Sequence, residues 1–259
     1  MTMDSNPFKA PDARVADAGV AGGDFVLEGQ RVPAGNGVTW LSQGWQMFKE
    51  SPGVWIGITL IFLLVMIVVS VIPLVNLLAG LLAPVLIGGL MLGCKAQEDG
   101  EGLRVGHLFA GFSGHAGNLI LVGVIYLAGL IAIGIVAAVL GGGIGFGAAM
   151  MGAGRPNAAA MIVPLLLMFL VMLALMIPLA MAVWYAPALV VLHQVSPFEA
   201  MKTSFFVTLK NFVPFLIYGL VVLVLAIVAT IPVGLGWLVL APVMYASIYT
   251  SYKDMFLRH

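Results

Sequence analysis

The sequence predicts an all-α integral membrane bundle of about six transmembrane helices. Three observations predict it. The 259 residues are 62% hydrophobic and 8% charged, with a mean hydropathy of +1.12, whereas a soluble domain carries about 25% charged residues. Four charge-free stretches, each longer than 40 residues, separate short charged pulses. These stretches are continuously apolar rather than alternating, which is the pattern of membrane helices and not of a barrel. A fold of this size has too much exterior to hide such surface from water, so lipid has to solvate it.

Taken in order, residues 1–36 are rich in Gly, Ala, Asp and Pro and lack the apolar core of a signal peptide. They are expected to form a disordered cytoplasmic tail, with residues 37–257 as a single transmembrane domain. About 20 helical residues cross a 30 Å hydrocarbon core. Helix breakers then place the crossings. The first runs from Gly53 to Ile72 and turns at Pro73-Leu74-Val75-Asn76. The second runs from Leu77 to Cys94, and the third from Asn118 to Leu140, followed by a Gly/Ala-rich loop from Gly141 to Ala160. The fourth starts near Met161 and passes Tyr185 towards His193. The fifth spans Val213 to Ile231, and the sixth Leu235 to Tyr252.

Basic residues orient this topology. Ten of the eleven lie in the N-terminal region, the loops after the second and fourth crossings, and the C-terminal tail. With six crossings these regions share one side, which the positive-inside rule makes the cytoplasm. Arg155 alone falls opposite. The expected location is a bacterial inner membrane, with both termini cytoplasmic.

A threefold pattern runs through the chain, over about 37–98, 104–195 and 196–257. Each third reads as an amphipathic segment, an apolar helix, a break, and an apolar helix with Ala-Pro near its middle. The pairs are Ala83-Pro84, Ala186-Pro187 and Ala241-Pro242. Proline removes a helical hydrogen bond and clashes with the preceding turn, so Pro84, Pro187 and Pro242 are candidate bends. The amphipathic segments carry Trp40, Trp45 and Phe48, then Phe109 and Phe112, then Phe198 and Phe205. These aromatics are candidate interfacial anchors at headgroup depth.

The run Trp40-x4-Trp45-x2-Phe48-x3-Pro52-x2-Trp55, with the Ala83-Pro84 helix pair and His107-Leu108-Phe109-x-Gly111-Phe112, resembles a family of uncharacterised proteobacterial polytopic inner-membrane proteins. The resemblance spans about Val32 to Asp254 and implies fold and location. It carries over no activity and no functional residues.

The residues themselves offer little chemistry. His107, His115, His193 and His259 lack the paired spacing of a helical metal site. Glu98, Asp99 and Glu101 read as a solvated loop, and Cys94 as a small buried residue. The predicted spans hold no Asp, Glu, Lys or Arg, which argues against a proton-coupled pump. No cofactor, metal or nucleic-acid partner is expected. Asn76, Tyr126 and Tyr185 are candidate polar groups of a cavity. The expected function is a non-enzymatic component that organises lipid or protein partners, including a second copy of itself. The alternative is a transporter or channel for a small or lipidic solute, and an intramembrane enzyme comes last.

Overall fold

In this computed structural model the chain is described over residues 23–71, 76–150 and 158–258, with side chains described over 23–71, 80–143 and 162–258. The chain is an all-α membrane helical bundle. A short strand β1 (Asp24–Phe25) leads into helices α1 (Asn36–Glu50), α2 (Pro52–Val71) and α3 (Asn76–Glu98). A 3₁₀ helix (Val105–Phe112) precedes α4 (Ala116–Met150), α5 (Ala158–Trp184) and α6 (Ala186–His193). The last third holds α7 (Pro197–Lys210), α8 (Phe212–Thr230), α9 (Trp237–Phe256) and strand β2 (Leu257–Arg258).

Five helical segments are long and apolar enough to cross a bilayer: Pro52–Val71, Gly80–Glu98, Ala116–Gly143, Ile162–His193 and Phe212–Thr230. The sixth expected crossing forms as α9, but it is not among these five. Its second half carries Tyr245, Ser247, Tyr249, Ser251 and Tyr252. Protein, more than lipid, surrounds it: Ser247 and Ser251 are buried, and so are Tyr249 and Tyr252.

Each third of the chain thus runs short helix, long helix, long helix. The short helix of one third packs on the last long helix of the preceding third: the 3₁₀ helix on α3, α7 on α5, and α1 on α9. The last of these contacts closes the ring. Two glycines show how close the approach is. A Cβ on Gly111 would lie 2.1 Å from the Val85 carbonyl oxygen, and one on Gly44 would lie 2.6 Å from that of Val243. Backbone therefore meets backbone, as small-residue stripes allow.

The core sits at one end of the bundle. It gathers the C-terminal halves of α3, α5–α6 and α9 around Leu86, Leu90, Tyr185, Leu189 and Phe256, all fully buried. Beyond the prolines the helices spread into lipid. Leu64, Ile135, Leu167 and Ile227 are each about 60% exposed, which a bilayer accommodates and water does not.

The three candidate bends behave differently. Pro84 and Pro242 lie inside continuous helices, α3 and α9. At Pro187 the helix opens between α5 and α6. The Ser204 hydroxyl, from α7, stands in the gap. It accepts the Tyr185 N–H at 2.9 Å and donates to the Met181 carbonyl at 2.6 Å. Those two backbone groups would bond each other in a regular helix.

Two expected boundaries need correction. The glycine run from Gly141 does not leave the helix, because α4 continues to Met150. With no water in hydrocarbon to satisfy the backbone, helix remains the favoured state even for glycine. Residues 151–157 of the expected loop lie outside the described residues.

The second boundary concerns residues 23–35, which the sequence assigns to the tail. Residues 1–22 lie outside the described residues, but residues 23–35 pack against the C-terminal end. Strand β1 pairs antiparallel with β2, matching Asp24 to Arg258 and Phe25 to Leu257. Gln30 donates to the Asp254 carbonyl at 2.8 Å, and Lys210 donates to the Gly29 carbonyl at 3.0 Å. Asn211 exchanges hydrogen bonds with Val32 and Gln30.

Candidate functional site

Polar side chains converge where the ring closes, at the end of the bundle that carries most of the charge. Asp254, in the last turn of α9, takes two donors on one oxygen. The Asn36 amide donates at 2.8 Å and the Trp40 indole N–H at 2.7 Å. Glu98, at the end of α3, accepts the Tyr249 hydroxyl at 2.7 Å and pairs with Lys253. Gln97 accepts the Trp55 indole N–H at 3.2 Å and donates to Glu50 and to the Met47 carbonyl. Together these tie α1, α2, α3 and α9. Between them lies a cleft of about 460 Å³, lined by Gln43, Gln46, Glu50, Glu98, Lys253 and Asp254 among others. Among the described residues, no group of three or more His, Cys, Asp or Glu is placed to hold a metal ion.

Two further hollows are almost wholly apolar. One, of about 580 Å³, lies between α1, α8 and α9, against Leu41, Trp45, Leu225 and Val243. The other, of about 470 Å³, lies between α5, α7 and α8, against Met181, Trp184, Thr208, Phe215 and Tyr218. This second groove sits beside the opened helix at Pro187. Two polar atoms at its wall are shut off from solvent and have no partner among the described residues: Trp184 Nε1 and Thr208 Oγ1.

The candidate anchors divide between core and surface. Trp40 and Phe48 are buried in the core, and Trp40 is only 1% exposed. Trp45, Phe109, Phe112 and Phe198 are exposed, and Phe205 is half-buried. An amphipathic helix can lay its apolar face on protein as readily as on lipid, and α1 does so on α8 and α9.

Among the described residues, Tyr185 and Tyr126 share no hydrogen bond and line no common pocket. Tyr185 is buried and spends its hydroxyl on Ser251 at 2.9 Å. Tyr126 is half-buried on α4. The backbone of Asn76 opens α3, and its side chain lies outside the described residues.

Of the histidines, His193 stacks on Phe25 at 3.5 Å and bonds the Tyr252 hydroxyl. His107 accepts the Arg104 N–H through Nδ1 at 3.1 Å. Partial burial, then the Arg104 charge, hold the His107 pKa below its ordinary value. His259 lies outside the described residues. Cys94 is buried and free.

Sequence reasoning missed the anchoring roles of Glu98, Asp254, Gln97 and Ser204. Glu98 looked like part of a solvated loop, and Asp99 does pair locally with Lys95 at 2.6 Å. A weak signal existed for Asp254: it is a carboxylate in the last turn of an otherwise aromatic-rich helix, where the dipole disfavours it. Its two donors from α1 account for its presence there.

The chain matches no protein-family profile and no solved structure. It is similar to a curated protein of Burkholderia thailandensis named "Probable inner membrane protein", at 28% identity over 249 residues, which cover 87% of this chain and 92% of that protein.

Proposed function

We propose that this chain is a non-enzymatic inner-membrane protein that holds lipid in grooves between its helices and presents its charged end to the cytoplasm. The observation that carries the reading is the pairing of a polar end, where side chains tie α1, α2, α3 and α9, with two apolar grooves of about 580 and 470 Å³ between the helices. Tyr185, which a polar conduit would need to expose, is enclosed by protein instead. The name of the Burkholderia thailandensis relative supports the inner membrane as the location. The bias of ten basic residues to one side supports cytoplasmic termini.

Detergent-free extraction into polymer-bounded discs tests the reading, with the co-extracted lipid compared with that of the surrounding membrane. The expected result is one lipid class retained above its bulk share through exchange against a second lipid. A retained pool identical to bulk overturns the proposal. Reporter fusions after Lys95, Gln194 and the C-terminus should all read cytoplasmic, and a periplasmic reading at any of them overturns the orientation.

A further inference from the structure

The helix pairs α2–α3 and α4–α5 differ in how far they run from the polar end. Helix α3 lies antiparallel to α4, and Gly123 fixes their register: a Cβ there would lie 2.7 Å from the Leu81 Cα. Past that contact α3 has only the residues back to Asn76, whereas α4 continues to Met150. At 1.5 Å per residue these remainders are about 8 and 40 Å. Gly129 then faces Leu179 and Gly141 faces Met168, so α5 accompanies α4 beyond the reach of α3. Ile131, Ile135, Val139, Ile162, Leu167 and Phe169 lie in this extension, each between 55% and 68% exposed. Such a surface needs hydrocarbon around it. Membrane helices tilt by at most about 40°. Even at that tilt Gly143, the end of the apolar span of α4, stands about 15 Å farther along the membrane normal than Asn76. That is about half of a 30 Å core.

Helix α2 gives the same depth independently. Protein holds its first turns, with Trp55, Ile58 and Thr59 buried, and its exposed apolar face runs from Leu60 to Val71, about 16 Å of helix. The sequence agrees: residues 72–75 carry no charge, whereas Arg155 lies between α4 and α5. Length alone allows α2 and α3 to cross, but register and exposure stop them halfway. A pair that turns back inside the bilayer returns to the side it entered from, so the bias of basic residues is the same for both topologies.

We propose that the α2–α3 pair is re-entrant: it enters from the charged end, stops near the bilayer middle and returns, displacing lipid from one leaflet only. A turn at that depth has to find partners for helix-end backbone groups, and the chain keeps this need small. Pro73 has no N–H, the Ser70 hydroxyl donates to the Ile67 carbonyl at 2.8 Å, and Tyr126 of α4 lies level with the first turn of α3.

The test is a depth scan of the full chain in liposomes. Leu60, Leu64, Ile67 and Val71, all exposed on α2, are changed singly to cysteine and spin-labelled. Cys94 is fully buried and does not compete for the label. Collisional relaxation by oxygen and by a water-soluble nickel chelate reads the depth of each label. Depth should increase at every step from Leu60→Cys to Val71→Cys, by up to about 16 Å in all. Four surface positions carry the gradient, so it stays readable if one variant misfolds. A crossing helix would be deepest near Leu64→Cys and back at headgroup depth by Val71→Cys, and that profile overturns the proposal. So does labelling of Val71→Cys by a membrane-impermeant thiol reagent applied to the periplasmic face of spheroplasts.

Discussion

Replacing Ser204 by alanine tests how the opened helix at Pro187 is held. The wild-type hydroxyl satisfies the Tyr185 N–H at 2.9 Å and the Met181 carbonyl at 2.6 Å, and Ser204 and Tyr185 are fully buried. Each buried backbone group left without a partner costs about 1–3 kcal/mol. Two such groups set an upper limit of about 6 kcal/mol. Partial closure of the Tyr185 N–H onto Met181 offsets some of this, and the expected net loss is about 2–3 kcal/mol. Pro187→Ala alone restores an N–H that a straight helix would use. That straight helix, however, expels the Ser204 hydroxyl. In the Ser204→Ala background the conflict disappears. Pro187→Ala should then recover at least about 1 kcal/mol, a coupling that a double-mutant cycle reads directly. The assay is equilibrium unfolding in mixed micelles, followed by tryptophan fluorescence. A Ser204→Ala loss below about 0.5 kcal/mol, or strict additivity with Pro187→Ala, refutes the wedge.

Other substitutions probe the closed ring. Asp254→Ala strips the acceptor from Trp40 and Asn36 and should cost about 2–3 kcal/mol in the same assay, with Asp254→Asn recovering part of the loss. Gly111→Ala puts a methyl 2.1 Å from the Val85 carbonyl oxygen and should cost about 1–3 kcal/mol by overpacking. Gly106→Ala on the same 3₁₀ helix meets nothing within 4 Å and should stay within about 0.5 kcal/mol of the wild type. His107 adds a pH dependence. Its pKa is lowered by burial first and by Arg104 second, so the unfolded chain binds its proton more readily than the folded one. Stability is therefore full above the ordinary value of 6.5 and falls as pH drops below it. His107→Gln should flatten that limb of the stability–pH curve.

The crossings were legible because charge is so costly in hydrocarbon that its absence marks each span. The ninth helix was harder to read. Tyr245, Ser247 and Tyr249 at spacing two cannot share a helix face, and lipid would penalise a helix polar on two sides. The structure shows both sides used by protein: Ser247 meets Tyr218 of α8 at 2.8 Å, and Tyr249 meets Glu98 of α3. Trp40 and Phe48 exposed a different limit. Their helical spacing reveals an apolar face but not which apolar medium that face meets. Ser204, Trp184 and Thr208 left no trace at all. A single polar residue on a membrane helix has no periodicity, and only the neighbour across the helix pair gives it a role.

The same neighbours explain why one of three matching prolines opens its helix while two do not. At Pro84 and Pro242 the short helix of the next third arrives with a glycine, Gly111 or Gly44, set on the carbonyl just past the proline. Glycine offers no side-chain donor or acceptor that could replace a bond of the helical ladder, and α3 and α9 stay continuous. At Pro187 the arriving helix carries Ser204 to the ladder, and its hydroxyl bonds both sides of a gap. Proline supplies the weakness at all three places, and the residue facing it decides the outcome. The opened site is also where Trp184 ends α5 at the wall of the apolar groove. A helix running straight through this point would carry Trp184 and Tyr185 on a regular spiral and lose the Ser204 seat that fixes α7. The wall to which Trp184 contributes therefore depends on the break, which ties the departure from threefold regularity to one of the two apolar grooves.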